Sequence, residues 1–134
     1  MTIREKENQL IEELNLIPDA QERLSYVVEL GTAYAPLPEA LRQDAFRVRG
    51  CQSAVWIVPQ AEGARFAVDA DSSIVKGIAC LLGDIYSVGT PQEAAAHESQ
   101  LLAQTRIDAH LSPNRRRGLQ LVAARLRELA GGLA

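Results

Sequence analysis

The 134-residue chain carries a formal charge of −3 and an isoelectric point near 5.4, with 47% hydrophobic and 23% charged residues. That balance fits one ordinary globular domain over residues 1–134, and argues against disorder and against nucleic-acid binding as the main function. No apolar run approaches the roughly 20 residues that span a bilayer, and the charged start MTIREKENQLIEEL lacks the apolar core of a signal peptide, so a cytoplasmic protein is expected with no membrane partner.

Thr2, with Glu5 three residues on, predicts a capping box. The 3–4 spacing of Leu10, Ile11, Leu14 and Ile17 predicts the helix it opens, stopped by Pro18. Asp19, with Glu22 in the reciprocal position, predicts a second helix that packs through Leu24, Val27, Val28 and Leu30 and reaches Gly31 at or near its end. APLPEALRQDAF, residues 35–46, reads as a connection with a short helical turn after Pro38. Phe46 to Arg49 are expected to form a short strand leading into Gly50. SAVWIVP and RFAVDA then flank the turn QAEGA as a hairpin, the second strand alternating with Phe66 and Val68 on one face. Asp71 or Ser72 starts a helix to about Ser87, with the stripe Ile74, Ile78, Leu81, Leu82 and Ile85. Thr90-Pro91-Gln92-Glu93 and Ser112-Pro113 start further helices. The last packs through Leu119, Val122, Leu126 and Leu129, with Gly131 expected to end it. Helices before and after a small run of strands give an α+β fold, the helices lying on one face of an antiparallel sheet.

The candidate chemistry lies in RVRGCQSAVWIV, residues 47–58. Cys51 has two readings. It is either a small buried thiol, the usual lot of free cysteine, or a nucleophile presented on a loop. Gly50 suits a sharp turn, and the polar Gln52 and Ser53 stand where a core strand would be apolar. Arg47 and Arg49 share a face if the segment is extended, and guanidinium groups near the sulfur would favour the thiolate. The apolar run behind the loop works the other way, by desolvating the charge. Cys80 falls off the apolar stripe of its helix, beside Lys76 and Asp84, and reads as structural. A cysteine hydrolase would need a histidine at the thiol and a group to orient it, but neither His97, in an alanine-rich helix, nor His110 carries such a signature. Two cysteines and two histidines, widely spaced, do not predict a metal site.

The stretch Gly50-Cys51-Gln52-Ser53-Ala54-Val55-Trp56 closely resembles the signature of the SufE family of sulfur-acceptor proteins. Further matches follow in order, Asp71 to Gly77, Thr90-Pro91, His110 to Arg115 and Gly118-Leu119, and the earlier Tyr26 to Gly31 also fits. The resemblance implies a domain similar in fold to iron–sulfur cluster assembly scaffolds. It also implies a persulfide-accepting role for Cys51, with sulfur taken from a pyridoxal-phosphate cysteine desulfurase, whose activity it stimulates, and passed to a cluster scaffold or other acceptor. No cofactor on this chain is implied. Asp71 and Arg115 occupy positions that relatives use for docking, and Gln52 and Ser53 border the acceptor as partner-binding candidates. Arg115, Arg116 and Arg117 fall in the first turn of the last helix, where the dipole disfavours cations; either they are solvated at small cost or, as the resemblance implies, at least Arg115 meets an acidic patch on the partner. The alternatives are a cluster scaffold, which needs several thiolates close together, and the stand-alone hydrolase.

Overall fold

In the computed structural model, which describes residues 1–60 and 65–133, two helices precede a two-stranded antiparallel sheet, and a central helix, two short helices and a long closing helix follow it. Helix α1 (Ile3–Asn15) opens on the expected capping box. The Glu5 N–H donates to the Thr2 hydroxyl at 3.1 Å, and the Glu5 carboxylate accepts from the Thr2 N–H at 3.0 Å. Helix α2 (Ala20–Gly31) begins at Asp19, whose carboxylate accepts from the Gln21 N–H at 3.2 Å. The reciprocal bond expected of Glu22 does not form, because the cap closes on the second helical residue and Glu22 stays exposed.

After Pro38 a 3-10 turn (Glu39–Leu41) forms as expected, and a second one (Asp44–Phe46) takes up Phe46. The strand expected over Phe46 to Arg49 therefore shrinks to one bridge, Arg47 opposite Trp56. Between the 3-10 turn and Gly50, which turns the chain at φ +88°, too few residues remain extended to build a ladder. Strands β1 (Val55–Pro59) and β2 (Phe66–Ala70) pair in the hairpin register Val55↔Ala70 to Pro59↔Phe66. Of the predicted turn QAEGA, residues 61–64 lie outside the described residues.

Helix α3 (Ser73–Tyr86) is capped by Ser72, not Asp71, and runs through the middle of the domain. Ile78, Ile85 and Tyr86 have no exposed surface, and each such side chain stabilises the fold by roughly 1.5–3 kcal/mol relative to exposure. One side of α3 lies on β2, and another crosses α2 where Gly31 meets Gly77. A Cβ on Gly77 would lie 2.5 Å from the Val27 carbonyl oxygen, so the two helix backbones touch there. The face of α3 that bears Cys80, off the predicted stripe, is covered by the sheet. The thiol is 2% exposed and donates to the Val68 carbonyl at 3.3 Å.

Helix α4 (Pro91–Ala96) starts on the predicted Thr90/Glu93 capping box but ends before His97, which the sequence places inside a helix. His97 leaves the helix because Glu7, buried on α1, binds its Nε2 at 3.0 Å and also accepts from the Gln100 N–H at 3.2 Å and from the Ser99 hydroxyl. Helix α5 (Leu101–Gln104) and a 3-10 turn (Ile107–His110) lead to helix α6 (Pro113–Leu133). Gly131 does not stop α6, which continues two residues past it. On the hairpin, Asp69 is a second buried carboxylate, one that no local pattern in the sequence marks. It accepts from Arg42 at 2.6 Å, the Leu37 N–H at 2.9 Å and the Ala70 N–H at 2.8 Å, with the Lys76 ammonium at 3.5 Å. Arg42 also lies 5.2 Å from the centre of the Trp56 ring, so Asp69 and Trp56, paired across the strands, together hold the 35–43 connection onto the sheet.

Candidate functional site

Gly50 supplies the left-handed backbone that the turn before Cys51 requires, a conformation costly for any residue with a side chain. Beyond the cysteine the loop is tied down at Ala54. Its N–H donates to the Asp71 carboxylate at 3.1 Å and its carbonyl accepts from the Asp71 N–H at 3.0 Å. Asp71 thus has a job within the chain, fixing the exit of the Cys51 loop to the end of β2. Between these anchors Cys51 is half-buried, and its thiol donates to the Gly118 carbonyl on α6 at 3.3 Å.

A cavity of about 260 Å³ opens beside the sulfur, lined by Gln52 and Ser53 from the loop, Val55 from β1, Val75 from α3, Ser112 just before α6, and Asn114, Arg115, Gly118 and Leu119 from its start. Four of the five residues singled out in the sequence, Cys51, Gln52, Ser53 and Arg115, therefore share one cavity, and Asp71 braces it from outside. On its other side Cys51 borders a second hollow, lined by Asp44, Arg47, Val48, Arg49 and Gly50. The two arginines predicted to flank the cysteine do so from there.

The three arginines opening α6 have separate fates. Arg116 donates to the carbonyls of Asp108 at 3.1 Å and Leu111 at 2.9 Å, stitching the helix to the preceding 3-10 turn. Arg115 and Arg117 are exposed, and Arg115 alone of the three lines the cysteine cavity. Neither histidine lines either hollow at Cys51. His97 is held by Glu7, and His110 is exposed in its 3-10 turn.

Burial pushes the Cys51 thiol above its ordinary pKa, and the Arg47 guanidinium pulls against that rise. Arg47→Gln removes the opposing charge. At a fixed pH near 8 the variant is expected to react with iodoacetamide roughly two- to fivefold more slowly than the wild type, with the pH midpoint of alkylation moved upward. An unchanged midpoint would show that Arg47 does not act on the sulfur. Cys80 is pushed much further, to about 12, mainly by burial. Among the described residues no group of three or more His, Cys, Asp or Glu is placed to hold a metal ion, and no helix is long and apolar enough to cross a membrane.

Sequence reasoning did not assign Gly118, Ser112, Asn114 or Val75 to the site. A signal existed for Gly118, since glycine is a poor choice in the body of a helix unless something needs the space. For Ser112, Asn114 and Val75 the signal was their place in the family-like stretches His110 to Arg115 and Asp71 to Gly77, which the tertiary fold brings to the loop.

The fold and the site together define a small α+β protein that presents one half-sheltered thiol from a braced loop. A family model described as "SufE: Fe-S metabolism associated domain" matches residues 8–130. The chain belongs to the SufE family and has a role in iron–sulfur metabolism. It is also similar in fold to the solution structure of a hypothetical protein from Thermus thermophilus, with a TM-score of 0.72, 21% identity and 93% of each chain covered.

Proposed function

We propose that this protein is an accessory sulfur carrier. It accepts a sulfur atom on Cys51 from the persulfide of a pyridoxal-phosphate cysteine desulfurase, stimulates that enzyme by unloading it, and passes the sulfur to a cluster scaffold or other acceptor. The observation that carries this reading is the half-buried Cys51 thiol on a glycine-turned, doubly anchored loop, at the mouth of a cavity shared with Arg115, in a chain of the SufE family.

The step is thiol exchange on a persulfide. The Cys51 thiolate attacks the outer sulfur of the desulfurase persulfide. A new sulfur–sulfur bond forms to Cys51, the bond inside the donor persulfide breaks, and the donor cysteine leaves as a thiolate. The hydrogen on the outer sulfur travels with it, and no net oxidation occurs. Arg47 favours the attacking thiolate, while burial keeps the resting thiol protonated until the partner docks. Arg115, exposed at the rim of the cavity, is the docking cation for an acidic patch on the partner, with Gln52 and Ser53 as its polar neighbours. The transfer belongs in the cytoplasm, where a free thiol persists.

Intact-mass spectrometry after incubation with a cysteine desulfurase and free cysteine tests the reading. The wild type is expected to gain the mass of one sulfur atom, and Cys51→Ser to gain none. A wild type that stays unmodified beside an active cognate desulfurase would sink the carrier role.

A further inference from the structure

Gly118 is the α6 residue whose carbonyl receives the Cys51 thiol. It lies within the 21-residue helix Pro113–Leu133, where glycine weakens the helix relative to alanine. The resting thiol does not require this glycine. A Cβ built at position 118 would lie 3.6 Å from Sγ and 4.0 Å from the Cys51 Cβ, which is ordinary contact. An alanine would fit without moving anything, and would instead occupy space in the cavity beside the sulfur.

The form of Cys51 that needs this space is one with another atom attached. In a persulfide the second sulfur sits about 2.05 Å beyond the first. Val75 and Leu119 give the cavity apolar walls, and Ser112, Asn114 and Arg115 a polar mouth. We propose that Gly118 is a positioning residue for the sulfur cargo. Its bare backbone leaves a seat on α6 in which the outer sulfur of a Cys51 persulfide lies, walled on the α3 side by Val75. This assignment rests on the sulfur-carrier reading and adds to it the residue that makes room for the transferred atom.

The test compares the wild type, Gly118→Ala, and Gly131→Ala as a control that removes a glycine from the far end of the same helix, where the nearest atom to a new Cβ would be 3.8 Å away on Ala95. Each protein is loaded in two ways, by a cysteine desulfurase with free cysteine and by inorganic polysulfide alone, and is followed by intact mass. The loaded forms are then timed against dithiothreitol. Gly118→Ala is expected to keep the wild-type pH midpoint for iodoacetamide alkylation of Cys51. It should take up sulfur about tenfold more slowly and lose it about tenfold faster, within the 100-fold that an ångström of misplacement costs. Gly131→Ala should match the wild type. Val75→Ile narrows the same cavity from α3, and is expected to repeat the effect should alanine at 118 disturb the helix. Wild-type loading and lifetime in both Gly118→Ala and Val75→Ile would overturn the assignment. Loading of the wild type by polysulfide but not by the desulfurase would remove the proposed donor, while the polysulfide series still decides the role of Gly118.

Discussion

Gly77→Ala is expected to lower the melting temperature by roughly 10 °C, the equivalent of about 3 kcal/mol for a domain of this size. The added methyl would meet the Val27 carbonyl oxygen at 2.5 Å, the Val27 carbonyl carbon at 3.0 Å and the Val28 Cα at 3.1 Å. All three are main-chain atoms of α2, so no side chain can rotate out of the way. The helices must part, loosening contacts along their whole crossing. Alanine's better helix propensity, worth about 1 kcal/mol, opposes this and is too small to win. Thermal unfolding followed by circular dichroism decides the matter. A melting temperature equal to or above that of the wild type would mean that α2 and α3 do not approach so closely. The Cys51 cavity shares in the outcome, because Val75, two residues before Gly77, forms part of its wall.

Asp69→Asn should cost a similar amount, roughly 3 kcal/mol, the lower end of what breaking a buried ion pair costs. The lower end applies because Arg42 and Lys76 keep some access to water, with 34% and 18% of their side chains exposed, whereas Asp69 has none. Burial alone would raise the Asp69 pKa. The Leu37 N–H, the Arg42 guanidinium, the Ala70 N–H and the Lys76 ammonium more than offset it and hold the carboxyl below its ordinary value. A carboxylate with a depressed folded-state pKa stabilises the fold fully above its unfolded pKa of about 3.9, and the benefit drains away as the pH falls through the lower folded value. Denaturant unfolding from neutral pH into strong acid is therefore expected to show the variant's deficit shrinking as the pH falls. A deficit that persists unchanged at low pH would mean that the charge on Asp69 contributes nothing.

Much of this architecture was legible because it is written in local chemistry. Thr2 with Glu5, and Thr90 with Glu93, close capping boxes whose partners are three residues apart, so both ends of each bond lie in one short window. The hairpin of Val55–Pro59 and Phe66–Ala70 announced itself by β-branched residues, alternation and bounding turn residues. The losses came where a distant residue wins. His97 is drawn out of its helix by Glu7, 90 positions away, and no local pattern could show that. Asp69 sat in an alternating strand and gave no sign that Arg42 and the Leu37 N–H would return to meet it. At the site, the loop was legible from Gly50 and the polar pair after Cys51, because an exposed turn must use such residues. The cavity was not, since much of its wall comes from α6, more than 60 positions further along the chain. Asp71 shows a third case, a residue noticed for one reason that the fold also uses to clamp Ala54.

Cys80 lies closed in between α3 and β2, with its thiol pushed to about 12. Its burial and its bond to the Val68 carbonyl withhold it from thiol exchange, which needs an accessible thiolate. The chain has two sulfhydryl groups but a covalent valence of one. Disulfide cross-linking between copies therefore runs through Cys51 alone and stops at a pair, which a thiol reductant separates again.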